Sequence, residues 1–475
     1  MYRNIIIVTA LIFNAAAYAQ YPVRFPLKIS KDKRYLVDQA NKPFPILGRT
    51  AWFIITQSDS GYEKFLYNTI EHGYNSIEMA AIVHWPMGNH APYDANGDAP
   101  FLRRLNGADW DGELTYTDIK NESPNLLTPN ENYWKHVDEF LAYCEIKGIL
   151  VFMFPGYVRY AGGDQGWMQE LVANGAESVK QYGQWIANRY KKRKNIVWML
   201  LGDMGTFTTE QKNAEASLIK GLKSVKRQQS VQYSAESYSG QNAADNVDFG
   251  SEMTLNGSYT WELKVPVPYV ARKAYAHRPV RPSFLLEEPY DQEGPDGNNY
   301  NPNATQPVRR FQWWGWLSTT GGYISGNGYV WQFIDPVWQQ HLNTQAALDM
   351  NRLNKFIRSI EWWKLIPSGL NGMQEIIADE NNVDTSAAYV SAAATKDGSL
   401  LVVYIPPAHN GSVSVNMNMV NKICKAYWFD PTNGKYIQAE TLSFNRGVQS
   451  FTPPGKNSTG ENDWVLLFTT LKITG

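Results

Sequence analysis

One rhythm constrains this chain more than any other feature. Up to about residue 340, short apolar runs alternate with longer stretches of helical periodicity. The runs fall at 44–47, 76–81, 149–154, 196–201, 231–234, 253–255 and 283–286, and an eighth leads from Gly321-Gly322-Tyr323 towards Trp331 and Phe333. Helical stretches occupy 61–72, 131–147, 175–190, 209–225, 269–277 and 309–319, with Pro129 placed to open the second of them. Runs that are apolar throughout, rather than on alternate residues, suit strands buried on both faces, the condition of a parallel sheet with helical crossovers. Close to eight such units predict a (β/α)8 barrel rather than an open doubly wound sheet. No G-x-G-x-x-G follows the first run, which removes the usual dinucleotide reading.

After about Ala387 the pattern changes. Alternating runs at 400–405, 412–417, 426–429 and 465–468 are separated by Gly, Asn and Pro, with no helix of any length. This predicts a small antiparallel β-sandwich. The division expected is a signal segment at 1–19, a barrel at 20–370 and a sandwich at 371–475, with 348–370 bridging the two domains. The signal reading rests on Arg3, the apolar stretch 5–13 and the small-residue ending Ala17-Tyr18-Ala19, and it implies a secreted or periplasmic protein. That stretch is too short to stay as a spanning helix, and no later segment has 18 uninterrupted apolar residues, so no membrane insertion is expected. The 44 basic and 45 acidic residues nearly cancel, which argues against a nucleic-acid partner. The two cysteines, Cys144 and Cys424, read as buried free thiols.

In a parallel barrel the site is built at the C-terminal ends of the strands. Asp203 follows one such run, VWMLLG, and the adjacent Glu287 and Glu288 follow another, SFLL. The 84 residues between Asp203 and Glu287 match roughly three βα units. If Asp203 ends the fourth strand, Glu287 ends the seventh, across the barrel mouth. Two facing carboxylates are what glycosidic cleavage needs: one protonates the leaving oxygen, and the other attacks the anomeric carbon or activates water. Neighbouring strand residues face opposite ways, so one glutamate of the pair faces the mouth and the other the helices, and the apolar pattern does not say which. There is no G-x-S-x-G elbow, and the seven histidines show no metal-like pairing, so neither metal nor cofactor is expected.

Six segments carry a resemblance: KPFPILGRTAW (42–52), HGYNSIEM (72–79), NENYWKHVDEF (130–140), KNIVWMLLGDM (194–204), FLLEEPYD (284–291) and STTGGYISGNGYVWQF (318–333). In this order they resemble the apiosidase-like family, glycoside hydrolase family 140 and its relatives. That family joins a retaining (β/α)8 barrel to a C-terminal β-sandwich labelled collagen-binding, and WFDPTNG (428–434) is similar to a turn of that module. The resemblance implies Asp203 as general acid/base. The family's E-x-x-Y-E/D pattern fits Glu287 to Asp291 only with Glu287 first, which implies Glu287 as nucleophile. It also implies a pectin-type plant glycan, with apiose among its sugars, as substrate.

Two positions depart from the family. Arg49 stands where an acidic residue is usual and would suit an acidic sugar or another carboxylate of the chain, and Ser234-Ala235-Glu236 stands where a histidine and proline are expected. Trp52, His84, Trp85, Tyr157 and Trp331 are further candidates for lining sugar subsites, with Tyr290 as a hydrogen-bond donor to Glu287. The expected partner is an oligosaccharide or polysaccharide, bound by a monomer. Two rivals stay open: a non-catalytic carbohydrate-binding protein on the same barrel, and a matrix binder acting through the sandwich.

Overall fold

The computed structural model describes residues 23–84, 90–159, 165–226, 231–294, 301–303, 308–421, 423–439 and 447–471. The signal segment expected at 1–19 and Trp85 lie outside these residues. Eight parallel strands form one sheet: β1 (Ile46–Thr50), β2 (Ser76–Ala80), β3 (Leu150–Phe154), β4 (Ile196–Leu201), β5 (Gln232–Glu236), β6 (Asn256–Tyr259), β7 (Ser283–Glu287) and β8 (Gly322–Ser325). Their order is β5-β4-β3-β2-β1-β8-β7-β6. The two end strands meet at their base. The N–H groups of Thr254 and Leu255 donate to the Tyr233 carbonyl at 2.9 and 3.0 Å, and the Tyr233 N–H donates to Thr254 Oγ1 at 2.8 Å. The sheet thereby curls into a near-closed barrel of the expected class.

Around it run α1 (Asp59–Glu71), α2 (Glu131–Ile146), α3 (Met168–Tyr190), α4 (Thr209–Lys223), α5 (Val267–Ala276), α6 (Val308–Thr319) and α7 (Gln345–Ser359). Local chemistry sets several of their starts. Thr208 and Gln211 form a reciprocal capping box on α4, and Asn130 accepts the Asn132 N–H to cap α2, with Pro129 just outside the helix rather than inside it. The third helix begins seven residues earlier than its periodicity suggests, because Gly175 at φ 76° joins two segments across a kink.

The sixth strand is also displaced, from 253–255 to Asn256–Tyr259. Its sequence, NGSY, is polar, yet Asn256 is satisfied inside the fold. Its Oδ1 accepts the Ala244 N–H at 2.8 Å, and its Nδ2 donates to the Ala274 carbonyl at 3.2 Å. Gly257 faces the barrel interior, where an added Cβ would lie 3.0 Å from Leu286 Cβ. In the first strand the pairing starts at Ile46, while Pro43–Phe44 joins a separate antiparallel sheet with Lys28–Ile29 and Leu36–Val37.

The C-terminal domain is an antiparallel sandwich, as expected. Its larger sheet runs Ile366–Pro367, Ser391–Ala394, Leu400–Ile405, Trp464–Thr469, Lys425–Phe429, Tyr436–Gln438, and its smaller one pairs Val413–Asn416 with Val448–Phe451. The sheet begins at Ile366, a few residues before the expected boundary at 371. The sandwich packs on α6 and α7. Trp313 stacks on Tyr404 with centroids 5.7 Å apart, and Arg309 bridges Asp349 of α7 and Asp463 of the sandwich. Cys144 and Cys424 are buried free thiols. Among the described residues no helix is long and apolar enough to cross a membrane.

Candidate active site

β4 is apolar and buried through Leu201, and then the backbone turns sharply. Leu201, Gly202 and Asp203 have φ values of 65°, 127° and 53°, a left-handed sequence of three. Gly202 is required there twice over, since a Cβ would also lie 2.4 Å from the Tyr157 ring. The turn delivers Asp203 into the barrel mouth, where Tyr157 Oη donates to its Oδ2 at 2.7 Å. Tyr259, at the end of β6, supplies a second hydrogen bond to the same carboxyl.

Across the mouth stands Glu287, and a β-bulge decides that it is Glu287. Phe284 points inward, packing on Phe152 with centroids 5.4 Å apart, and Leu285 points outward against Gly315 of α6. Strict alternation would then send Leu286 inward, Glu287 outward and Glu288 inward. The pairing with β6 instead slips after Leu285, so that Leu285 opposes Ser258 and Glu287 opposes Tyr259. Leu286 stays inside and Glu287 enters the mouth. Glu288 goes to the helix layer and accepts a hydrogen bond from Gln312 of α6.

Glu287 is held by a relay: Trp52 Nε1 donates to Tyr290 Oη at 3.0 Å, and Tyr290 Oη donates to Glu287 Oε1. Glu236, at the end of β5, hydrogen-bonds to both Glu287 and Asp203. Three carboxyls therefore share one connected network. A fourth, Glu78 of β2, lies on the same strand face as the cleft-lining Ala80, buried and with neither oxygen hydrogen-bonded.

Burial pushes Glu287 up to about 7. The bonds from Glu236 and Tyr290 work against that rise, and the charge of Asp203 adds to it. Asp203 is also raised by burial, against the hydrogen bonds from Tyr259 and Tyr157 and the nearby charge of Arg159. Glu236 and Glu78 are driven well above the usual carboxylate range, first by burial and then by repulsion from Glu287 and Asp203. Burial thus favours the protonated forms of Glu236 and Glu78. Glu236 is then the donor that, with Tyr290, favours the ionised form of Glu287.

Asp203, Glu236 and Glu287 open into a cavity of about 570 Å³. Of the candidates named from sequence, Asp203, Glu287, Trp52, His84, Tyr157, Glu236, Tyr290 and Trp331 line it. His84 lies beyond the end of β2 and is oriented by Glu170 of α3, 3.2 Å from its Nε2. Trp331 lies beyond β8, not at its end, and its ring meets Phe53 and Tyr290 edge-on. Arg49 does not line the cavity, which corrects the role expected for it. Its side chain points from β1 to α1, where it donates to Asn68 Oδ1 at 2.8 Å and lies over the Phe65 ring. Among the described residues, the one arginine or lysine in the cavity wall is Arg159, set beyond β3 at φ 67°. Tyr259 and Trp261 also line it, and sequence reading missed both because it placed the sixth strand too early. Asp59, His136 and Glu139 bring possible ligand atoms within 4.8 Å of one another, but none of the three lines the cavity.

Known structures share this architecture. A protein described as a glycoside hydrolase superposes with a TM-score of 0.71 at 19% identity, covering 94% of this chain and 97% of its own. A glycoside hydrolase family 5 protein from Bacteroides vulgatus gives 0.70 at 18% identity, covering 94% of each. The fold is therefore that of the barrel glycoside hydrolases. The model of the family described as "Apiosidase-like, catalytic domain" matches residues 30–364, and the chain belongs to that glycosidase family. A model described as "Putative collagen-binding domain of a collagenase" matches residues 373–469. No curated protein sequence matches the chain.

Proposed function

We propose that this glycosidase cleaves its substrate with retention, through a covalent glycosyl-enzyme. Glu287 attacks the anomeric carbon while Asp203 protonates the departing oxygen. Asp203, now ionised, then takes a proton from water, which attacks the same carbon and frees Glu287. The observation that carries this reading is the placement of Asp203 after β4 and Glu287 at the end of β7, in one cavity and joined through Glu236. Tyr290 and Glu236 favour the ionised nucleophile, while the burial that raises Asp203 favours the proton an acid must hold. Retention requires the two carboxyls at about 5–5.5 Å, against about 6.5–9.5 Å for inversion.

The substrate we infer is a pectin-type plant cell-wall glycan that carries apiose. Membership of the apiosidase-like family supports the sugar, and Arg159 supports an acidic residue beside it. The test is to incubate the protein with apiose-containing pectic oligosaccharides and follow the anomeric signals by NMR. Release of the sugar with its starting anomeric configuration is the expected result. First appearance of the opposite anomer defeats the nucleophile assignment, and no release from any pectic glycan defeats the substrate.

A further inference from the structure

Glu215 is an anomaly on α4. The buried face of this helix includes Ala214, Leu218, Ile219 and Leu222, and Glu215 sits among them fully buried. One carboxyl oxygen accepts the backbone N–H of Leu201 at 3.2 Å, and the other has no hydrogen-bond partner. An apolar residue of the same length would avoid the desolvation of a carboxyl, so packing alone does not account for it.

The group it holds is the first of the three left-handed residues that aim Asp203. The turn is fastened from several sides. Gly202 N–H donates to the Glu236 carbonyl at 3.0 Å, Val158 N–H donates to the Leu201 carbonyl at 3.1 Å, and Tyr157 closes over Gly202. The Leu201 N–H is the tie that reaches to the helix layer, and Glu215 receives it. A left-handed conformation at a non-glycine residue persists only where its surroundings over-determine it.

We propose that Glu215 is a positioning residue for the acid/base step: it fastens the strained turn after β4 and so sets where the Asp203 carboxyl meets the glycosidic oxygen. The proposal rests on Asp203 being the acid. It predicts a loss that depends on how much the leaving group needs a proton. A displaced acid slows departure of a poor leaving group and leaves departure of a good one almost unchanged, whereas general loosening of the fold slows both alike.

The experiment compares phenyl and 2,4-dinitrophenyl β-apiosides on wild type, Glu215→Met, Glu215→Asp and Glu215→Gln. Met matches the length without accepting a hydrogen bond, Asp withdraws the carboxyl by one methylene, and Gln keeps an acceptor in place. Met and Asp are expected to lose roughly 10–100-fold in kcat on the phenyl glycoside, with KM little changed and the dinitrophenyl glycosylation step within about twofold. Gln should restore most of the phenyl rate. Equal losses on both glycosides, or a Gln variant as slow as Met, overturn the proposal. Asp carries the test if Met does not fold. Asp203→Asn run alongside separates the two claims: if it spares the phenyl glycoside, the assignment of Asp203 is what fails.

Discussion

Replacing Arg309 with methionine should destabilise the whole protein by about 3 kcal/mol, and the magnitude follows from what the guanidinium touches. Its Nε and Nη2 donate to the two oxygens of Asp463 at 2.7 and 2.8 Å, and its Nη1 donates to Asp349 Oδ2. Both carboxylates are buried, at 0% and 2% exposure. Removing one partner of a buried pair typically costs about 3–5 kcal/mol, because a charge is left in a poorly solvating interior. Here each carboxylate keeps other donors. Asp463 retains Tyr404 Oη at 3.0 Å and Asn457 Nδ2 at 2.7 Å, and Asp349 retains Arg352 and Gln345, each at 2.8 Å. That places the loss at the lower end of the range. Methionine preserves much of the apolar stem, so the change reports mainly the charge. Because the bridge spans barrel and sandwich, guanidinium unfolding followed by tryptophan fluorescence and by far-UV circular dichroism should show both domains weakened together. Adding Asp463→Asn to Arg309→Met should recover more than 1 kcal/mol, since it removes the stranded charge. A loss below about 1 kcal/mol, the level of an exposed ion pair, would refute the reasoning.

The remaining expectations concern the carboxyl cluster. Glu287→Gln should abolish turnover, whereas Glu288→Gln, which changes a carboxyl facing α6, should retain it; steady-state rates on one glycoside decide, and the opposite ranking places the bulge wrongly. Glu287→Gln should also be more stable than wild type at pH 8. Its carboxyl is raised from 4.5 to about 7 in the fold, so the native state holds the extra proton between those values and stability falls as pH rises through them. The gain should approach about 3 kcal/mol above pH 7 and vanish near pH 4.5, as measured by guanidinium melts across pH; a pH-independent difference counts against it. Tyr290→Phe removes a donor to ionised Glu287, so the acidic limb of kcat/KM should move up by about one pH unit; an unmoved or lowered limb rejects the relay.

Much of the barrel was legible because its strands are buried on both faces. LVFMF and IVWMLL can be little else in a chain of this pattern. Asp203 was legible for the same reason, as a polar residue just past an unambiguous strand. β6 was not, because its burial is sustained by Asn256 hydrogen bonds and a close glycine contact rather than by apolar side chains. Missing it cost Tyr259, the second donor to Asp203. Arg49 failed through facing: it sits on a barrel strand as read, but on the outward side of it.

The two adjacent glutamates show most clearly where strand logic stops. Once Phe284 is placed facing inward, strict alternation points Glu288 at the cleft, although the apolar pattern by itself does not give that facing. The E-x-x-Y-D resemblance pointed to Glu287, and the slip in pairing after Leu285 provides the physical reason. A bulge leaves one residue unmatched by the partner strand, so the parity of everything after it changes. The same slip brings Glu287 to Tyr290 Oη and leaves Glu288 to Gln312. It therefore exchanges the faces that two neighbouring carboxyls would take, giving Glu287 bonds from Glu236 and Tyr290 that oppose the rise imposed by burial and leaving Glu288, driven well above the usual carboxylate range by burial, with Gln312. Burial raises both carboxyls, and one unpaired position in the backbone decides which of them reaches the cleft.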